Sequence, residues 1–212
     1  MAEFRKPKRL GMALIVSGPS GAGKSTICGL LRESEPGLQF SVSCTTRSPR
    51  PGEKHGTDYY FISKGEFEAR LQGQEFLEHA LVHGNYYGTL KSEVVQRVAS
   101  GADVLLDIDV QGAKQINRQA KDDPVLSRCV ESVFIGPPSF AELERRLRNR
   151  ATETEEVIQR RLQNARDEME HWREYGFLVI NKEIDRTVCD MRNLVDILHK
   201  SSKRLEDSGF YG

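Results

Sequence analysis

The chain has 212 residues, enough for one sizeable hydrophobic core with small appended lobes. Lysine plus arginine and aspartate plus glutamate number 31 each, so no global field draws the chain to nucleic acid or to an anionic membrane. The four cysteines (Cys28, Cys44, Cys129 and Cys189) are far apart, which suits reduced thiols in a cytoplasmic protein better than a disulfide framework or a zinc site.

The first residues, "MAEFRKPKRLGMALIVSG", imitate a signal peptide, with basic residues before an apolar run. The run "MALIV" is shorter than the roughly seven residues of a secretory core, and a glycine-rich turn ends it. No apolar run approaches the length of a membrane span. A soluble, intracellular protein is expected. Residues 1–10 read as a basic, loosely held tail and residues 201–212 as a second one. Between them, residues 11–190 read as one domain. Its core is expected from 11–39, 91–138 and 174–200, because short apolar runs recur there: "MALIVSG", "DVLLDID", "CVESVFI" and "GFLVIN". Helical periodicity follows each run, which predicts an α/β fold with a parallel sheet and crossover helices. Residues 40–90 break this rhythm with turn residues and mixed signals, as an inserted lobe would. Residues 139–173 are helical and highly charged. Thr152 and Glu155 read as a capping box there, and Ile158, Leu162, Ala165 and Met169 form one apolar stripe.

The first apolar run leads into "GPSGAGKST", in which Gly18, Pro19, Ser20, Gly21, Ala22, Gly23, Lys24 and Ser25 fit the phosphate-loop pattern and Thr26 follows. Glycines let the backbone wrap closely and aim its N–H groups at a phosphate, and the following helix adds positive potential. Lys24 is placed to reach the β- and γ-phosphates of a nucleoside triphosphate, and Ser25 to offer a hydroxyl to Mg²⁺. Asp107, ending the apolar run "VLLD", is the acidic strand end expected near that metal.

Three classes use such a loop. A GTPase needs an N-K-x-D segment, and "NKEID" at 181–185 is out of register: Ile184 stands where the acid belongs and Asp185 comes one residue late. A motor or transporter ATPase needs more chain. A small kinase remains, and "TTRSPRPGEKHGTDYYF" supports it. Arg47 and Arg50 can donate paired hydrogen bonds to phosphate oxygens, and Tyr59 and Tyr87 can add hydroxyl bonds. Two arginines and two tyrosines suit a small dianion such as a nucleoside monophosphate better than a polyanion. His55, His79, His83, His171 and His199 form no ligand spacing. Trp172, one turn after Met169, reads as packing, and Cys44 as a small filler rather than a nucleophile.

The stretches "SGPSGAGKST", "FSVSCTTRSPRPGEKHGTDYYF", "EFLEHALVHGNYYGT", "LDIDVQG" and "RRLRNRATETEEVIQRRL" together resemble the guanylate kinase family. The resemblance spans residues 14–181 and implies a P-loop core, a GMP-binding lobe at 40–90 and a mobile lid at 139–173. It implies transfer of the ATP γ-phosphoryl to GMP, with Mg²⁺. It gives Ser43 to the base-binding wall, Glu78 and Thr89 to guanine, and Arg47, Arg50, Tyr59 and Tyr87 to the GMP phosphate. Glu53 would orient the arginines, and Asp107 and Asp109 would form the floor near both nucleotides. Arg145, Arg148, Arg150, Arg160 and Arg161 fall in the lid; Arg148 and Arg160, with Lys24, Arg47 and Asp107, are the candidates for catalysis. The family commonly has glycine after Arg150, where this chain has Ala151. Two alternatives are a kinase for another nucleoside monophosphate and a non-catalytic phosphopeptide-binding module of this fold. Such modules typically lose the loop lysine, which is intact here. Homo-oligomerisation and the choice between GMP and dGMP are left open.

Overall fold

The computed structural model describes residues 8–82, 84–149 and 154–206. The expectations attached to His83, Arg150, Ala151 and Thr152, and to the outer parts of both tails, lie outside these residues.

The apolar runs become strands: the inner ones are buried between helices on both faces, whereas the last leaves Leu178 and Ile180 exposed at the sheet edge. Strands β1 (Ala13–Ser17), β2 (Leu38–Phe40), β7 (Asp103–Asp107), β8 (Val130–Gly136) and β9 (Phe177–Ile180) form a parallel sheet in the order β2-β7-β1-β8-β9. Central β1 is buried along its whole length, as a strand covered on both faces must be. Helices α1 (Lys24–Ser34) and α8 (Ile184–Leu198) cover one face, sharing a core of Leu14, Val16, Ile27, Leu31, Met191 and Val195. Helices α3 (Lys91–Ala99), α4 (Val110–Asp122) and the short α5 (Leu126–Cys129) cover the other, around Ile15, Val98, Leu106 and Ile116. β2 has no counterpart among the four runs read from sequence, because three residues are too few to carry a period. It also carries the core sheet as far as Phe40.

The chain leaves β1 toward β2 and β7 on one side, and leaves β7 toward β8 on the other. The carboxyl end of β1 is therefore a topological switch point, where α/β sheets form their binding crevice. The register Val16↔Asp107 brings Asp107 level with the start of the phosphate loop.

The lobe is a second sheet in the order β4-β3-β6-β5, made of β3 (Cys44–Thr45), β4 (Tyr60–Phe61), β5 (Phe76–Val82) and β6 (Asn85–Leu90). Helix α2 (Lys64–Gln72), capped by the Ser63 hydroxyl, closes it, with Phe67 stacked on Phe76 and Tyr86. Cys44 is buried in this small core, and burial pushes its thiol up to about 11, so it is a filler as expected. The charged segment forms α6 (Phe140–Arg148) and α7 (Glu155–Met169), joined by Leu143, Leu147, Ile158, Leu162 and Ala165, with Met169 packed against them. The expected capping box is corrected here: Thr154 stands at the N-cap and Glu155 is the first helical residue. Its carboxylate instead takes Arg148 and Gln159.

Two further expectations change. The inner parts of the tails are tied to one another: Arg9 bridges Leu205, Arg9 pairs with Asp103, and Lys8 pairs with Glu206. Arg204 is fully buried, donating to Glu131 and to the Leu198 carbonyl. Trp172 is 37 % exposed with Arg173 stacked over it, so it is a surface ring rather than core packing.

Candidate active site

The phosphate loop is a backbone structure that glycine makes possible. Gly18, Gly21 and Gly23 all have positive φ, and a Cβ on Gly18 would sit 2.2 Å from the Ile135 carbonyl oxygen. A Cβ on Gly23 would sit 2.5 Å from Asn181 Nδ2. Asn181, buried at the end of β9, explains that contact. Its Nδ2 donates to the Ala22 carbonyl at 2.8 Å, its backbone N donates to Gly136 O, and Thr187 Oγ1 donates to its Oδ1. The residue that tempted a guanine-reading assignment is thus the brace that holds the loop to the last strand.

Lys24 opens α1 and folds over its own loop, Nζ donating to Gly18 O at 2.6 Å and to Pro19 O at 3.3 Å. Ser25 Oγ donates to Asp107 Oδ2 at 2.8 Å, so the loop hydroxyl and the strand-end acid, each expected near a metal, lie together. Two oxygen ligands of this kind suit a hard cation such as Mg²⁺, which takes one or two protein ligands and fills the rest with phosphate and water. Among the described residues no group of three or more His, Cys, Asp or Glu side chains is placed to hold a metal ion. One residue here escaped the sequence reading. Glu168 on α7 accepts from Ser20 N at 3.3 Å and is pushed up by burial, with Lys24 pulling the other way. The Ser20 N–H of the loop is thus met by a carboxylate oxygen from α7.

Across the crevice, Arg47 lies within 6 Å of the Tyr59 and Phe61 ring centroids, at 5.6 and 5.8 Å. Its guanidinium donates to Glu53 Oε1 at 2.9 Å and to the Ser48 carbonyl, while its Nε is buried without an acceptor. The hydrogen bond from Arg47 holds the Glu53 carboxyl below its ordinary value, and Glu53 and Tyr87 raise Arg47 in return. Tyr59 and Tyr87 meet edge to face at 6.0 Å. Glu53 thus pairs with the Arg47 guanidinium but meets Arg50 through the backbone N–H at 2.7 Å, and Arg50 is exposed.

A cleft of about 140 Å³ is lined by Ser43, Asp58, Tyr59, Thr89 and Asp107 among others. Thr89 Oγ1 donates to Glu78 Oε1 at 2.6 Å and lies 3.4 Å from Ser43 Oγ. Glu78 is 6 % exposed, and burial pushes its carboxyl up from 4.5 to about 7 against the Thr89 hydrogen bond. Asp109 caps α4, accepting from Gly112 N at 2.7 Å, and its charge also raises Glu78.

Of the lid arginines, Arg145 is paired with Glu142, and Arg148 with Glu144 and Glu155, whereas Arg160 is exposed on α7. Two of the described histidines make structural contacts, His55 Nδ1 accepting from Phe61 N and His199 Nε2 meeting Asp103 Oδ2 across the fold.

A phosphate loop with its lysine and metal-side oxygens, facing an arginine–tyrosine anion site and a buried acid, defines a P-loop phosphotransferase of the nucleoside monophosphate kinase class. The family model described as "Guanylate kinase" matches residues 11–198. The guanylate kinase of Rhizobium meliloti (strain 1021) is 49 % identical over 191 residues, covering 90 % of this chain and 84 % of that protein. That of Fusobacterium nucleatum is 46 % identical, covering 88 % of this chain and 97 % of the relative. The crystal structure of guanylate kinase from Anaplasma phagocytophilum superposes with a TM-score of 0.74 at 33 % identity, covering 95 % of this chain and 93 % of the other. The chain belongs to the guanylate kinase family. No helix among the described residues is long and apolar enough to cross a membrane.

A carboxylate accepts from both guanine donors when it is ionised, so the expectation that Glu78 reads guanine carries a pH prediction. The folded pKa of Glu78 lies above the ordinary 4.5, so the proton is retained up to about 7 and the accepting form appears above that. The kcat/KM for GMP is expected to rise through about pH 7, beyond the rise that the GMP phosphate itself causes near pH 6. A Glu78→Gln variant should lack the upper limb. A profile unchanged by that substitution would show that Glu78 does not titrate in the free enzyme.

Proposed function

We propose that this protein transfers the γ-phosphoryl of ATP to GMP, giving ADP and GDP, with Mg²⁺ bound beside Ser25 and Asp107. The observation that carries the choice of acceptor is Glu78, a buried carboxylate linked through Thr89 to the cleft lined by Ser43, Tyr59 and Asp107. Guanine shows two adjacent donors on its Watson–Crick edge, N1–H and the N2 amino group, and a carboxylate accepts both. The hydroxyls of Ser43 and Thr89, within hydrogen-bond reach of each other beside Glu78, support this reading. dGMP offers the same edge and the same phosphate, so it is an acceptor too.

In this reading the loop N–H groups and Lys24 hold the β- and γ-phosphates, displacing Glu168 from Ser20. Arg47, with Glu53 fixing its plane and Nε free to donate, holds the GMP phosphate together with Tyr59 and Tyr87; Arg50 closes on it from the surface. The acceptor oxygen is already ionised at neutral pH, so no general base is needed and the chain's work is alignment and charge stabilisation. Mg²⁺ would neutralise charge on the ATP phosphates. Arg148 and Arg160 act at the transferring phosphoryl only if lid closure exchanges their present surroundings for phosphate.

A coupled assay of ADP formation with GMP, AMP, UMP and dTMP in turn tests the acceptor. GMP should be preferred by about 10⁴ in kcat/KM, because other bases leave buried polar groups unpaired. In the same assay Arg47→Ala should lower kcat/KM for GMP by about 10²-fold while leaving the KM for ATP within about twofold. Arg50→Ala should do less, since its guanidinium is not held in place. A collapse of ATP affinity with GMP kinetics intact would assign this cluster to the other nucleotide.

A further inference from the structure

The strand that carries Glu78 is held from outside its own sheet. β5 is the edge of the lobe sheet and pairs with β6 on one side, with an irregularity between Phe76 and Glu78. On the other side, two glutamines of α4 take the place of a neighbouring strand. Gln119 Nε2 donates to Leu77 O at 2.7 Å and to Phe76 O at 3.4 Å. Gln115 Nε2 donates to His79 O at 2.9 Å, and its Oε1 accepts from His79 N at 3.1 Å. A primary amide can do this because it donates and accepts in one plane, as a strand backbone does. These bonds fall on both sides of Glu78 and touch neither of its oxygens.

A third contact comes from the same helix face. A Cβ added at Gly112 would lie 3.0 Å from Glu78 Oε2, so α4 and the carboxylate approach as closely as a glycine permits. Gly112, Gln115 and Gln119 are spaced by three and then four, which puts them on one side of α4. The helix begins at Asp109, its N-cap, just beyond Asp107 at the metal side of the crevice. One rigid element therefore runs from the phosphate-transfer floor to the backbone around the base-reading acid.

We propose that Gln115 and Gln119 are positioning residues for base recognition, fixing β5 on either side of Glu78 so that both carboxylate oxygens face the two guanine donors. The inference rests on Glu78 reading the base. A paired contact of this kind demands placement within about 0.5 Å, and a misplacement of about 1 Å costs on the order of 10²-fold in rate. A strand edge with its carbonyls and N–H groups unmet would not hold a buried charge to that tolerance.

The test compares Gln115→Leu, which removes both bonds at similar size, with Gln115→Glu, which keeps the acceptor but sets a carboxylate against His79 O. Gln119→Leu, Glu78→Gln and the double variant Gln115→Leu with Glu78→Gln complete the set. Circular dichroism and melting curves check folding, and kcat/KM for GMP and AMP with KM for ATP are the readouts. The GMP:AMP ratio is expected to fall about tenfold in either Gln115 variant, less in Gln119→Leu, with KM for ATP unmoved. In the double variant the ratio should fall no further than in Glu78→Gln alone, because both changes act on one contact. Equal losses for GMP and AMP, a parallel rise in KM for ATP, or additive effects in the double variant would overturn the proposal, since a general structural role predicts those. If Glu78→Gln leaves the ratio unchanged, the base-reading assignment fails and the proposal falls with it. If Glu78→Gln lowers the ratio and the Gln115 variants do not, the proposal alone fails. Should Gln115→Leu fail to fold, Gln115→Glu decides by the same criteria.

Discussion

Replacing Lys24 by alanine is expected to lower kcat by about 10³-fold, the scale of losing one preorganised charged donor at a phosphoryl-transfer site. That is about 4 kcal/mol of transition-state stabilisation. The fold should survive it. The bonds that Lys24 Nζ makes are to the carbonyls of Gly18 and Pro19 in its own loop, not to another element. Loop geometry rests instead on glycine conformations and on Asn181, which grips the Ala22 carbonyl. Alanine is also a good residue for the first turn of α1. The melting temperature should therefore move by no more than about 3 °C, the shift that 1 kcal/mol gives in a chain of this size. Single-turnover rates with saturating ATP and GMP, measured beside a melting curve, check both statements. A variant retaining more than about a tenth of the wild-type rate would remove Lys24 from the transfer step.

The second large effect concerns base choice. Glu78→Gln is expected to lower the GMP:AMP ratio of kcat/KM by at least about tenfold, with the KM for ATP nearly unchanged. The amide keeps the side chain's shape and one acceptor, but it sets an NH₂ where the guanine edge presents a second donor. AMP loses little, because its N1 is an acceptor and it has no 2-amino group. The same substitution should affect stability in a pH-dependent way. With the folded pKa at about 7 and the ordinary value at 4.5, the wild-type protein holds an extra proton between those values. Its stability contribution is complete below 4.5 and is lost as pH rises through about 7. The variant has no such group, so its melting temperature should gain on the wild type from pH 4.5 to pH 8. An unaltered base preference at every pH would mean that guanine is read by Ser43, Thr89 and Asp109 instead.

How much of this site could be read from the chain varies with the range of the interaction. The phosphate loop was legible because its chemistry is local: Gly18, Gly21 and Gly23 supply backbone angles that other residues rarely adopt, and Lys24 follows within one turn. Asp107 was legible because it ends an apolar run, and a strand that ends in an acid carries that acid to the sheet's carboxyl edge. Arg47 and Glu53 stand six residues apart in one loop, yet their pairing was expected only through the family resemblance. Long-range partners left no such trace. Asn181 lies 159 positions from Ala22 and stood in a segment that resembled a different motif. Glu168 sits in a helix full of acids, and nothing local marks the one that touches Ser20. Gln115 and Gln119 look like solvated helix residues until β5 is laid against them. The tails misled for the same reason: Arg9 and Arg204 are charged residues near the ends, yet each finds a buried partner across the fold.

By itself, the sequence determined the α/β class with its parallel core, the phosphate-binding loop and the family, because these depend on periodicity, backbone freedom and contiguous motifs. What the tertiary structure decided was electrostatic and positional. It buried Glu78 and raised its pKa, set Asn181 against the Ala22 carbonyl, and tied β5 to α4. The physical reason is that desolvation and hydrogen-bond pairing are properties of surroundings assembled from distant segments. A residue's own type and near neighbours fix what it can do, while burial fixes its charge and its partners.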